Sequence, residues 1–182
     1  MRVTRCPLDG LLLLEPRIYR DDRGFFMESW HQDRYADVGV AKLFVQDNLS
    51  HSHAGTLRGM HFQNPFAQDK LVQVLMGEVF DVAVDLRRSS PTFGRWHAEV
   101  LSSENQRQFY IPAGFAHGFL VTSSAALFHY KCSGPYSPDS EATLLWNDPD
   151  VGIRWPGGVP RLSDRDARGL RLKDMPPERL FP

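Results

Sequence analysis

Surplus charge is missing from this chain. Its 182 residues carry 21 Lys and Arg against 22 Asp and Glu, a formal net charge of -1, so no long-range field draws the whole molecule to nucleic acid or to an anionic membrane. Anion binding, if any, must be local. Long apolar runs are missing too. Leu11 to Leu14 closes after four residues at Glu15-Pro16, too short for a signal-peptide core or a membrane span, and reads as a strand. Cysteine is scarce: Cys6 and Cys132 lack metal-ligand spacing and are too few for a disulfide framework, which fits a reducing, cytoplasmic compartment. No fixed-period repeat, linker or low-complexity tract interrupts the chain, and its length suits one domain, residues 1–182, with a substantial core.

Helical pattern is also sparse. It is confined to His31 to Val38 and to a turn or two from Ser163 to Arg168, where Ser163 can cap the start and Asp166 takes the third helical position. Neither can serve as a βαβ crossover, which argues against a parallel α/β sheet. What is there is strand. Val72 to Leu75 and Val79 to Leu86 are rich in β-branched and aromatic residues and, separated by Met76-Gly77-Glu78, carry a hairpin signature. Similar runs recur at Lys42 to Gln46, Gln108 to Ile111, Gly118 to Thr122, Leu127 to Cys132 and Ala142 to Trp146, many separated by Gly, Pro, Ser or Asn clusters. The expectation is an all-β antiparallel sandwich or jelly-roll barrel with a few short helices. The Pro-rich end, Met175 to Pro182, is expected to lie extended on the surface.

A barrel of this kind keeps its ligand in the mouth or interior, so inward polar residues carry the functional information. Five segments supply them. Asp22 to Trp30 offers Arg23 for a phosphate and Glu28 for a base or sugar, although a solvated turn leading into the aromatic strand of Phe25 and Phe26 fits equally. Gln46 to His53 is dense in hydrogen-bonding groups just before the His61 strand, and at His51 and His53 the reading as a plain polar loop wins. In Leu57 to Gln63, strand alternation puts Gln63, His61 and Gly59 on one face and Arg58, Met60 and Phe62 on the other. Arg58 and Lys70, with His61 between them, suit an anionic ligand or intermediate. His117 follows a Pro-x-Gly turn. Tyr130 to Pro138, with Glu141 beyond, offers Tyr130 as core aromatic or general acid and Tyr136 as a ring face for a planar base.

Metal-binding jelly rolls of the cupin type use a His-x-His pair, a nearby Glu and a later His. Here the pair reads His61-Phe62-Gln63, and no glutamate follows before Glu78. That is a poor transition-metal site, and no metal is expected.

In this order, Asp22 to Phe26, Gln46 to Ser50, Leu57 to Gln63, Val84 to Arg87, Pro112 to Phe119, Tyr130 to Cys132, Trp146 to Pro149 and Leu162 to Asp166 resemble the dTDP-4-dehydrorhamnose 3,5-epimerase family of nucleotide-sugar epimerases. The resemblance runs from about Arg17 to about Asp166. It implies a cupin-like jelly roll, usually a homodimer, that works without metal or nicotinamide on dTDP-4-keto-6-deoxyglucose. By the resemblance, His61 is the general base oriented by Asp166, Tyr130 the general acid, and Lys70 the group that stabilises the enolate oxygen. Arg23, Phe25, Glu28, Gln46, Asp47, Asn48, Arg58, His117, Glu141 and Arg165 would hold the nucleotide diphosphate and sugar, and Tyr136 would stack on thymine. The chain departs from the family's common residues at Met60 for Leu, Phe62 for Tyr and Arg165 for Lys; the first two keep apolar bulk, and the third changes donor geometry.

Dimerisation has a separate motive in Phe25, Phe26 and Trp30, which are more apolar than a free edge should tolerate. The rival readings are an epimerase of C3 or C5 alone, a non-catalytic sugar-nucleotide-binding jelly roll, and a metal-dependent cupin oxygenase or isomerase. A binding module needs no carboxylate behind its histidine, so His61, Tyr130 and Asp166 together speak against the second.

Overall fold

A computed structural model of residues 1–182 contains, in chain order, β1 (Arg2–Arg5), β2 (Leu12–Glu15), β3 (Ile18–Asp21), β4 (Gly24–Met27), α1 (Gln32–Ala36), β5 (Gln46–His53), β6 (Leu57–Gln63), β7 (Lys70–Met76) and β8 (Glu78–Asp85). There follow β9 (Trp96–Ser102), β10 (Gln108–Ile111), β11 (Phe115–Val121), β12 (Ala125–Cys132), β13 (Glu141–Thr143) and α2 (Asp164–Ala167). Two antiparallel sheets face each other, one ordered β1-β2-β10-β7-β12-β5 and the other β13-β6-β11-β8-β9, with β3-β4 as a separate ribbon. This is the expected jelly roll.

Val72, Val74, Val79, Ala83, Leu101, Phe109, Phe119 and Phe128 are buried in one cluster between the sheets, and the rings of Phe119 and Phe128 stack with centroids 4.1 Å apart. A second cluster, with Met60, Phe62, Val82, Val84, Ala116 and Leu144, lies on the other face of the five-stranded sheet. β8 is therefore buried on both faces, which explains its nearly continuous apolar run.

Several expectations need correction. β7 and β8 are not a hairpin, because they belong to different sheets. Gly77 carries the chain from one sheet to the other at φ +79, and a Cβ there would lie 2.0 Å from the Ala125 carbonyl oxygen, so the Gly marks a corner between sheets and not a two-strand turn. Lys42 to Val45 is not strand. The polar stretch after it is: β5 pairs with β12 along its whole length, Gln46 opposite Cys132 through His53 opposite Ala125. Its alternation was hidden because the inward positions are themselves polar. β1, β3 and β9 went unread. The C-terminal end is not simply extended on the surface: Met175 and Leu180 are buried in the second cluster, and Asn64 Nδ2 donates to the carbonyls of Glu178, Arg179 and Leu180 at 3.3, 3.3 and 2.9 Å.

The short helices form where expected. His31 caps α1, and Ser163 Oγ caps α2 by accepting the Asp166 N–H at 3.1 Å.

At the end of β8, the fully buried Asp85 accepts hydrogen bonds from Arg87 Nε at 2.9 Å, Arg87 Nη2 at 2.8 Å, and the Ser90 and Thr92 hydroxyls at 2.6 Å each. Burial pushes its carboxyl up, but these donors outweigh burial and hold it at about 2, below the ordinary 3.8. The depressed value contributes roughly 2 kcal/mol of stability above the unfolded pKa. That contribution is lost as pH falls through about 2. In urea titrations from about pH 4 down to pH 2, the parent is expected to lose about 2 kcal/mol more than Asp85→Asn; equal losses would exclude Asp85 as an acid-labile tie.

Candidate active site

A cavity of about 410 Å³ opens between the sheets. β5 contributes Gln46, Asn48 and Ser50; β6 contributes Arg58, His61 and Gln63; Lys70, His117 and Tyr130 come from β7, β11 and β12, and Tyr136, Glu141 and Arg165 also line it. Most of the expected site residues thus meet in one place.

Arg58 reaches this cavity by a route that plain alternation misses. His61 sits opposite His117 and Arg58 opposite Phe119, so three steps along β6 match two along β11. That extra residue is a β-bulge, which restores Arg58 to the face of His61. Gly59 occupies the bulge at φ +137, and a Cβ there would stand 2.5 Å from Gly118 Cα; the close backbone approach requires glycine. Arg58 Nε donates to Ser52 Oγ at 2.9 Å.

His61 Nε2 lies 2.5 Å from Asp166 Oδ1. Burial pushes the Asp166 carboxyl up, but the His61 hydrogen bond and charge prevail and hold it below the usual carboxylate range. Asp166 can therefore stay ionised behind the imidazole, fixing its tautomer and orientation. A second pair lies deeper: His117 Nε2 is 3.0 Å from each Asp81 carboxylate oxygen. Burial lowers His117 and raises Asp81, favouring the neutral forms of both. Asp81 went unread, although a single carboxylate inside the apolar run of β8 is a signal, since a charged residue is rarely buried without a partner.

Lys70 makes no ion pair and is half-buried, and burial lowers its pKa. Arg58 likewise has no carboxylate partner. The Tyr130 hydroxyl is without a partner as well, and burial pushes it up, so it stays protonated and able to donate. Ser50 Oγ is buried and unbonded. By contrast, the rim is self-satisfied: Tyr136 donates to Glu141 Oε2 at 2.6 Å, and Arg165 binds the same carboxylate with two bonds of 2.7 and 2.5 Å.

Four expected contact residues lie outside the cavity. Arg23 is exposed at the β3–β4 turn, bonded to Asp21 at 2.5 Å. Phe25 is 51% exposed on the same ribbon. Glu28 pairs with Arg34 at 3.1 Å. Asp47 alternates outward from Gln46 and Asn48 on β5 and binds Lys131 Nζ at 3.0 and 2.8 Å. Trp30 is half-buried, packed on Tyr35 and Phe44, so it belongs to no exposed aromatic patch. In the other direction, Ser50, Gln68 and Cys132 line the cavity without having been singled out; Ser50 and Cys132 were hidden in stretches read for other residues.

A sequence profile described as dTDP-4-dehydrorhamnose 3,5-epimerase matches residues 5–174. The chain is 51% identical over 176 residues to a dTDP-4-dehydrorhamnose 3,5-epimerase of Pseudomonas aeruginosa, covering 96% of this chain and 97% of that one. Its fold superposes with a TM-score of 0.97 on a Legionella pneumophila dTDP-6-deoxy-D-glucose-3,5-epimerase in complex with dTDP-4-keto-L-rhamnose, 49% identical and covering 99% of this chain and 97% of that one. A Bacillus anthracis dTDP-4-dehydrorhamnose 3,5-epimerase with TDP and PPi bound gives 0.91 at 46% identity, covering 93% and 98%. Profile, sequence and fold agree over nearly the whole chain, and it belongs to the dTDP-4-dehydrorhamnose 3,5-epimerase family.

Proposed function

We propose that the chain converts dTDP-4-keto-6-deoxyglucose into dTDP-4-dehydrorhamnose by inverting C3 and C5. The observation that carries this reading is one cavity holding a carboxylate-backed imidazole, an unpartnered tyrosine hydroxyl and two cations without counter-ions. The C4 ketone acidifies the hydrogens at C3 and C5. His61 removes one of them as a proton, the electron pair moves onto the C4 oxygen as an enolate, and the Lys70 ammonium stabilises that oxygen. Asp166, held ionised, stabilises the imidazolium that forms. Tyr130 returns a proton to the opposite face, and the two general acid–base groups are each worth roughly 10²–10⁴-fold.

Arg58 supplies charge for the diphosphate, and Gln46, Asn48, Ser50 and His117 supply hydrogen bonds. The exposed ring of Tyr136 offers a face to thymine, and Glu141 and Arg165 must exchange partners with the ligand at the rim. In the cavity no three His, Cys, Asp or Glu donors converge, and both histidines are already held by carboxylates, which supports chemistry by the side chains themselves.

Residues 1–182 act as one epimerase domain in this reading. No helix is long and apolar enough to cross a membrane; the cytoplasmic placement rests on the two free cysteines. A homodimer accounts for the β3–β4 ribbon, which joins neither large sheet and exposes Phe25 and Phe26. Docked on a second copy, the ribbon would bury these rings and offer Arg23 and Phe25 to the neighbouring cavity. Light scattering is expected to give twice the mass of one chain; a monomer at all concentrations would refute the arrangement.

Proton–deuterium exchange in heavy water, followed by NMR on the 4-keto sugar nucleotide, tests the mechanism. His61→Ala is expected to lose nearly all exchange at C3 and C5 while remaining folded, and parent-like exchange would overturn its role as base. Asp166→Asn is expected to fall less far, because the imidazole remains.

Tyr130→Phe separates removal of the proton from its return. Base and enolate stabiliser remain, so deuterium is expected to enter the sugar faster than inverted product accumulates, raising the exchange-to-inversion ratio above the parent's. An equal fall in both rates, or no change in either, would remove Tyr130 as the acid.

A further inference from the structure

Away from the substrate cavity, Cys6 Sγ, a ring nitrogen of His97 and a carboxylate oxygen of Glu99 all lie within 4.8 Å of one another. Topology makes this meeting possible. His97 and Glu99 are two apart on β9, so both point the same way, and that face carries Leu101 into the cluster between the sheets. Cys6 follows β1 directly. β9 is an edge strand of the five-stranded sheet and β1 an edge strand of the six-stranded one. The three side chains therefore bridge the sheets at their rim, and none of them lines the substrate cavity. Reading Cys6 by local spacing alone missed its neighbours, which arrive from far along the chain.

We propose that Cys6, His97 and Glu99 bind one divalent transition-metal ion of the zinc class, which clamps the two sheets together. A thiolate, an imidazole and a carboxylate are the donor types of tetrahedral zinc sites, and the sulfur disfavours magnesium and calcium. Bonds of about 2.0–2.3 Å in tetrahedral geometry place donors roughly 3.5 Å apart, so small side-chain rotations suffice. His97 Nε2 and Glu99 Oε1 already stand 2.9 Å apart. One thiolate and one carboxylate neutralise a divalent ion, so the loaded site is uncharged. That suits its setting, in which the side chains of His97 and Glu99 are only 20% and 18% exposed. The ring of Phe109 packs against His97 with centroids 6.1 Å apart and limits its movement. Cys6 also lines an open cleft with Asp9 and Gly39, so its side of the cluster is close to solvent.

Loading releases to solvent the Cys6 thiol proton and any proton shared by His97 and Glu99; no electrons are transferred, and binding weakens as pH falls. In the unloaded state His97 and Glu99 are already hydrogen-bonded to each other and Cys6 lies beside them, so the site needs no refolding to fill.

Cobalt(II) is the probe, added to the full chain after treatment with a chelator. One equivalent is expected to bind, with a thiolate-to-cobalt charge-transfer absorption that zinc abolishes by displacement. Cys6→Ser is expected to remove the absorption and Cys132→Ser to keep it. His97→Ala is expected to weaken binding by at least the tenfold or so that follows loss of an outer partner. Zinc is expected to raise the melting temperature of the parent but not of His97→Ala, a readout that remains if Cys6→Ser folds poorly. Absence of the absorption, its survival in Cys6→Ser, its loss in Cys132→Ser, or equal zinc stabilisation of the parent and His97→Ala would each overturn the site. So would dependence of cobalt binding on the exposed His51 and His53 pair, which would mark adventitious binding.

Discussion

The contact between Gly59 and Gly118 governs the arrangement of the site. With no side chain at either position, β6 and β11 approach until an added Cβ on Gly59 would stand 2.5 Å from Gly118 Cα. The bulge that this permits absorbs one residue of β6 and turns Arg58 to the side of His61. Without it, the guanidinium would face the second core, among Met60 and Phe62, where an unpaired charge costs several kcal/mol. A backbone irregularity thus decides which charges the cavity holds.

Those charges are unevenly satisfied. His61 and His117 each have a carboxylate partner, and Glu141 holds Arg165 and Tyr136, whereas Lys70 and Arg58 have no anionic partner. Polar groups left unmatched inside a protein cost free energy that a ligand can recover. In the proposed reaction a diphosphate and a developing enolate would supply the missing negative charge, the one before the reaction and the other during it. Stabilisation that arises with the enolate favours the rate, while stabilisation of the diphosphate favours binding.

The sequence was most legible where apolar residues make strands. β7, β8, β11 and β12 are rich in Val, Leu and Phe, and a sheet core leaves that mark. Ser163 before Asp166 announced a cap, and the structure has it. β5 was opaque for the opposite reason: its inward positions are Gln46, Asn48, Ser50 and Ser52, and a strand that turns polar groups inward shows no apolar alternation. The Gly77 corner resembles a hairpin because a turn looks alike whether the chain returns to the same sheet or crosses to the facing one. Arg58 was misassigned in face because one extra residue reverses every side chain before it. Asp81, and the neighbours of Cys6, depend on which strands meet, and nothing local records that.

The inward polarity of β5 also bears on motion. Most strands of the sandwich are anchored by apolar side chains on at least one face, but β5 lies at a sheet edge and is held chiefly by its ladder to β12, with exposed Asp47, Leu49, His51 and His53 on its other face. Strands with little buried apolar area open locally at a fraction of the global unfolding free energy. The strand that presents Gln46, Asn48 and Ser50 to the ligand is thus free to breathe, and ligand occupancy would slow amide hydrogen exchange there more than in the Phe119–Phe128 core.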